Sequence, residues 1–138
     1  MQLSNGPVLE LGCGPSSTPI LYWLAFDKNR EFYSYDNHQD YVDMMRKYGV
    51  QKIDDWDTLQ IDKHKWGMAF IDHHPSIRRG FDASRLAQAA DYVVIHDSND
   101  EKGHGYTNMF PDFKYRYDYT KTNPFTTVLS NFNNLDNL

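Results

Sequence analysis

The chain has 138 residues, a formal net charge of −5 and a pI of about 5.6, which fits one domain and excludes the basic stripe of a general nucleic-acid binder. Its one cysteine, Cys13, excludes an internal disulfide framework and a thiolate zinc cluster, while 15% aromatic content argues against disorder. No run approaches the roughly 20 apolar residues of a membrane span, and the start, MQLSNG, lacks a signal-peptide pattern, so a soluble cytoplasmic protein is expected.

PVLEL at 7–11 is a short apolar run ending at glycine, which predicts a strand because it is too brief for a helix. Apolar residues then recur at helical spacing through Ile20, Leu21, Trp23, Leu24 and Phe26. Ser16, Ser17 and Thr18 stand ready as caps, and Pro19 is tolerated in a first turn. The aromatic EFYSY at 31–35 predicts a second strand, followed by a helix from about Gln39 to Tyr48 that Gly49 closes. Val50 to Ile53 predicts a short third strand, broken by DDWD before a poorly patterned segment over 57–63. WGMAFID at 66–72 and DYVVIHD at 91–97 are continuous apolar runs of the parallel-sheet kind, with a helical pattern over 79–90 between them. Residues 98–111 are polar and glycine-punctuated, hence a loop. FKYRYDY at 113–119 and FTTVLSNF at 125–132 then predict an antiparallel pair across TKTNP.

Strand–helix alternation of this kind predicts an α/β fold: a Rossmann-like parallel sheet with helices on both faces and a C-terminal antiparallel hairpin. Its ligand site is expected at the carboxyl ends of the strands, where their order reverses. An acid stands at or near each of five strand ends, Glu10, Asp36, Asp55, Asp72 and Asp97, and one lined pocket explains that recurrence. Each acid also has a plainer use. Glu10 could cap the neighbouring turn, Asp36 the helix from 38, and Asp55 the segment after Trp56.

Glu10-x-Gly12-x-Gly14-x-Ser16 after a buried strand resembles the first motif of the class I S-adenosylmethionine-dependent methyltransferases, with serine at the third glycine. Glycines let the backbone approach a ligand, and the helix start at Ser16 and Ser17 offers amides to the methionine carboxylate. The resemblance runs from Val8 to Phe132 and implies the seven-stranded methyltransferase sheet. It also implies that Asp36, with Asn37, meets the ribose hydroxyls, and that Asp55 with Trp56 meets the adenine, Asp54 being the close competitor.

Methyl transfer to a hydroxyl requires in-line alignment and removal of a proton. Asp72, His73 and His74 in IDHHP are the catalytic candidates, with Asp72 also at the cofactor and His96 ranked behind the histidine pair. The metal-dependent O-methyltransferases are similar in placing acids after the fourth and fifth strands, so Asp72 and Asp97 are candidate magnesium ligands. Ser98, however, intervenes before Asn99, where the family's adjacent amide is expected. Without metal, His73 or His74 is the base, imidazole being the side chain suited to proton exchange near neutrality.

Arg78 and Arg79 read either as an anion site or as partners of surface acids, and His104, Gly105 and Tyr106 fall where a substrate lid is expected. Cys13 reads as a small buried turn residue. The expected acceptor is a hydroxyl of a small molecule or sugar: oxygen follows from the acid and histidine cluster and from DHHP standing where the similar nitrogen methyltransferases carry Asn/Asp-Pro-Pro-aromatic. Nucleic acid and membrane are not expected partners. With no extra cap elements, either the acceptor is loosely held or a partner or second copy completes the site. A non-catalytic cofactor-binding module and a nicotinamide-dependent reductase are the competing readings.

Overall fold

The central strands form where the chain is apolar on both sides. Val8–Leu11 (β1) is buried at every position, Trp66–Ile71 (β4) at four of six and Ala90–His96 (β5) at four of seven. The computed structural model describes residues 4–138, and the first three residues of the MQLSNG start lie outside it. Phe32–Asp36 (β2), Gln51–Lys52 (β3), Tyr115–Tyr119 (β6) and Thr126–Ser130 (β7) complete a seven-stranded sheet in the order β3-β2-β1-β4-β5-β7-β6. β1 to β5 run parallel, while β7 pairs antiparallel with β5 and β6 antiparallel with β7. The expected fold, hairpin included, is the one formed. The strand order reverses between β1 and β4, which opens a crevice above their carboxyl ends.

Right-handed crossovers put the helices Thr18–Asp27 (α1) and Gln39–Met45 (α2) on one face of this sheet and Arg79–Leu86 (α3) on the other. α2 tightens into a 3-10 turn, Arg46–Tyr48, and stops at Gly49, whose φ of 78° is left-handed as a glycine stop allows. The poorly patterned stretch after β3 becomes two 3-10 turns, Trp56–Thr58 and Ile61–Lys63, which drop Trp56 and Ile61 into the core. Leu9, Leu11, Ile71, Val93, Ile95 and Leu129 are fully buried at its centre, each contributing about 1.5–3 kcal/mol by leaving water.

α1 departs from the usual amphipathic plan. Only Thr18 and Ala25 of its residues are buried. At 100° per residue, Phe26, Trp23, Ile20 and Leu24 fall on one broad outer arc, and they are 57–67% exposed. The periodicity announced a helix correctly, but its apolar residues face outward.

Candidate active site

The crevice is a cleft of about 690 Å³. The motif turn Cys13–Ser17 forms one wall, Asp36 and Asn37 one end, and Asp72, His74 and His96 the other. The turn needs Gly12 for its path. Gly12 has φ +91°, and a β-carbon there would lie 2.6 Å from the backbone of Asp72 and His73, so any side chain would push β1's exit off β4. Gly14 lines the cleft itself, where an added β-carbon would meet nothing nearer than Ser17 Oγ at 3.9 Å.

Glu10 is fully buried beneath this turn and is absent from the cleft wall. Its carboxylate accepts hydrogen bonds from Ser17 Oγ (2.7 Å), Thr18 Oγ1 (2.9 Å) and Ser34 Oγ (2.6 Å), tying β1 to the start of α1 and to β2. Burial pushes its carboxyl above the usual range, opposed by these three hydroxyls. Thr18 in turn accepts the Gly14 amide at 2.9 Å, so acid and threonine brace the turn from below. The expectation that Glu10 contacts the cofactor is therefore corrected to a bracing role.

Asp36 does reach the cleft. Its Oδ2 accepts the Cys13 amide (2.9 Å) and its Oδ1 the His38 amide (2.7 Å), leaving further lone pairs for a ligand. The Cys13 thiol is pushed up to about 12, chiefly by burial and then by the charges of Asp36 and Glu10, which makes it inert as the plain reading required. Asp55 and Trp56 are a second correction. Asp55 is exposed and caps the following 3-10 turn by accepting the Asp57 amide at 2.9 Å. Trp56 is 4% exposed, lies edge-on to His73, and donates Nε1 to the His74 carbonyl at 2.7 Å. Neither lines the cleft, and Asp54 pairs with Lys52 on the surface.

The histidine pair divides as an extended backbone divides neighbours. His73 has a fully buried imidazole whose Nε2 meets Asp82 Oδ2 at 2.8 Å, and Asp82 also holds Arg78 Nε and Arg85 Nη1, each at 2.9 Å. Burial lowers the His73 pKa against the pull of Asp82. A group sealed in this way cannot take a proton from an acceptor, so its expected role as base is corrected. His74 is exposed at the cleft. His96, ranked behind the histidine pair in the sequence, stands half-buried in the cleft with Nε2 3.6 Å from Asp97 Oδ1, beyond hydrogen-bond reach but near enough for the two charges to act on each other.

Asp97 takes φ 55°, a left-handed turn that aspartate tolerates, as the chain leaves β5. Arg79, the first residue of α3 and only 3% exposed, fills the space between the strand-end acids. Its Nη1 lies 2.9 Å from Asp72 Oδ1 and 2.8 Å from Asp97 Oδ2, Nε donates to the His73 carbonyl (2.9 Å) and Nη2 to the Asp72 carbonyl (3.1 Å). Burial and Asp97 raise the Asp72 carboxyl, while Arg79 and His96 pull it down. Asn99, one residue past the place of the family's amide ligand, accepts the Phe125 amide at 3.1 Å. With a guanidinium between the two acids and serine at the amide's place, these residues do not fit the magnesium set implied by the resemblance.

The loop after β5 is tied down. Gly80 donates its amide to the His104 carbonyl at 2.9 Å, and a β-carbon on Gly80 would collide with the Gly105 carbonyl. Tyr106 is fully buried and donates its hydroxyl to the His96 carbonyl at 2.8 Å. His104 Nε2 lies 3.7 Å from Asp97 Oδ2. None of the three lines the cleft, so the expected lid is a fixed buttress behind it. Arg78 pairs with Asp82 and Asp57, the plainer of its two readings.

No family model matches the chain, and no curated protein matches it. Solved structures do. One is a Thermoplasma acidophilum protein described as a "putative methyltransferase", with a TM-score of 0.54 and 13% identity over 94% of this chain and 70% of that one. Another is a Streptococcus agalactiae protein of the NADB-Rossmann superfamily, with a TM-score of 0.55 and 10% identity over 96% of this chain and 65% of that one. The chain thus spans 65–70% of the length of these proteins. At such identities the likeness shows the fold alone, a Rossmann-like one. No helix among the described residues is long and apolar enough to cross a membrane.

Proposed function

We propose that the chain binds S-adenosylmethionine in this cleft and transfers its methyl group to a hydroxyl of a small molecule or sugar. The observation that carries the reading is the sign of the cleft. Asp36, Asp72 and Arg79 line it and Asp97 stands 3.6 Å from His96; Arg79 pairs with Asp72 and Asp97, so three acids outnumber the one buried cation. Such a surface favours a sulfonium cation and disfavours the pyrophosphate of a nicotinamide dinucleotide.

The residues then divide the work. Asp36 accepts the ribose hydroxyls with lone pairs left over from the Cys13 and His38 amides. Gly14, Ser16 and Ser17 leave room at the start of α1 for the amino-acid end. When bound, the sulfonium supplies an electrophilic methyl, which leaves with its carbon–sulfur bond broken as the new carbon–oxygen bond forms. His96 takes the hydroxyl proton, the Asp97 carboxylate, 3.6 Å from Nε2, steadies the imidazolium by its charge, and the proton passes to water.

Calorimetric titration with S-adenosylhomocysteine and with a nicotinamide dinucleotide tests the binding half, and dinucleotide binding alone would sink the proposal. Transfer of labelled methyl to a panel of sugars and alcohols tests the chemistry. His96→Asn should lower turnover by about 10²–10⁴-fold with S-adenosylhomocysteine binding retained. Cofactor binding with no acceptor turned over would favour a binding module instead.

A further inference from the structure

We propose that the Arg79 guanidinium takes the place of a divalent cation between the carboxyl ends of β4 and β5, so that the cleft operates without metal and a single side chain keeps a metal site closed. Asp72, His96 and Asp97 each present a ligand atom within 4.8 Å of the others, two carboxylate oxygens and one imidazole nitrogen. That donor set suits manganese or a similar borderline cation. Two carboxylates this close require positive charge between them, and the chain supplies its own.

The fit of Arg79 is that of a permanent occupant. Guanidinium has five N–H donors. Here Nε donates to the His73 carbonyl, Nη2 to the Asp72 carbonyl and Nη1 to Asp97 Oδ2, while Nη1 also pairs with Asp72 Oδ1 at 2.9 Å. The side chain is 4% exposed, and its backbone is pinned because the neighbouring Gly80 abuts Gly105 and donates to the His104 carbonyl. Arg79 is therefore held by two carbonyls and both acids, without the freedom to swing out for an incoming ion.

This substitution changes the chemistry available to the site. A metal would draw an acceptor oxygen into its coordination sphere and make it more acidic. A guanidinium held between the two acids coordinates no acceptor oxygen, so proton removal falls to a side chain of the cleft, the role proposed above for His96. The inference concerns the same cleft as the proposed methyl transfer but does not require that reaction, and its test reads cation binding rather than turnover.

The experiment titrates Mn²⁺ into the full chain by electron paramagnetic resonance, with thermal unfolding at each Mn²⁺ concentration. Wild type should show no saturable binding up to about 1 mM, the weak end of protein cation sites. Arg79→Met should bind one Mn²⁺ at least about tenfold tighter and gain Tm with Mn²⁺ concentration, as ligand linkage demands. Adding Asp97→Asn to that variant should abolish both effects. If Arg79→Met does not fold, Arg79→Gln, which keeps donors for the carbonyls, is titrated in its place. Saturable Mn²⁺ binding by wild type that Asp97→Asn removes overturns the proposal, and so does a folded Arg79 variant that binds no better than wild type. Methyl transfer measured on the same samples is a separate readout, so an inactive protein that behaves in this way upholds the inference while failing the proposed function.

Discussion

Replacing His73 by leucine keeps the side chain's volume while removing its titration and its 2.8 Å bond to Asp82. A hydrogen bond to a charged partner contributes about 1.5–3 kcal/mol. The edge-on contact with Trp56, ring centroids 4.3 Å apart, adds about 0.5–1.5 kcal/mol. Nδ1 works the other way. It is buried with no hydrogen-bond partner among the described residues, which costs the wild type about 1–3 kcal/mol that leucine gives back. The balance leaves His73→Leu about 1–2 kcal/mol less stable at alkaline pH, a fall of roughly 3–8 °C in Tm for a chain of this size. The pH dependence carries the sharper test. Because burial holds the folded pKa below the ordinary 6.5, acidification through that value protonates the unfolded imidazole first and costs the wild type stability. Leucine has no such cost, so the gap between the two proteins should narrow as pH falls. Urea unfolding followed by far-ultraviolet circular dichroism, at about pH 8 and about pH 5.5, measures it. A gap that holds constant or widens refutes the reasoning, as does unchanged stability accompanied by lost methyl transfer, which would return His73 to catalysis.

Gly12→Ala places a β-carbon 2.6 Å from main-chain atoms that cannot give way, at φ +91°, and should cost at least about 3 kcal/mol in thermal unfolding. Asp55→Ala removes only the cap on the Asp57 amide, worth about 0.5–2 kcal/mol, and should leave S-adenosylhomocysteine affinity unchanged by titration. A tenfold loss of affinity, about 1.4 kcal/mol, would put Asp55 back at the adenine. With its thiol pushed from 9.0 to about 12, Cys13 should be alkylated by iodoacetamide about a thousandfold more slowly in the folded chain than in urea, as mass spectrometry can follow.

The parallel core was legible because buried strands such as β4 and β5 write themselves as unbroken apolar runs, and the terminal pair because its strands are rich in aromatic and β-branched residues. The acids at the strand ends were legible as a set but not one by one. Spacing puts Glu10, Asp36, Asp55, Asp72 and Asp97 near one edge of the sheet, but which side of the backbone each carboxylate takes decides whether it meets ligand, hydroxyls or a cap. Glu10 points under its turn and Asp55 points along its own chain. The neighbours His73 and His74 face opposite ways for the same reason. Arg79 was left between an anion site and pairing with surface acids because its partners, Asp72 and Asp97, follow two different strands and meet only when the sheet is assembled. His96 was ranked behind the histidine pair because a histidine ending a buried strand is usually a packed one, whereas here it lines the cleft just before Asp97, in left-handed conformation, turns the chain away. On α1 the spacing revealed the helix but could not reveal that the sheet would claim only Thr18 and Ala25.

The seam between Gly80 and Gly105 also governs how this protein can drift. Each glycine is pressed against main chain, Gly80 against the Gly105 carbonyl and Gly105, at φ +71°, against the Ile77 carbonyl, so no change at one position can make room for a side chain at the other. Paired substitutions that rescue one another are closed off, and the two sites should stay fixed without covarying, a coupling that correlated-mutation methods would miss. A mutational library built on the loop can range over exposed positions such as Lys102 and Asn108, but it must carry glycine at both ends of this contact to keep Arg79 where the acids need it.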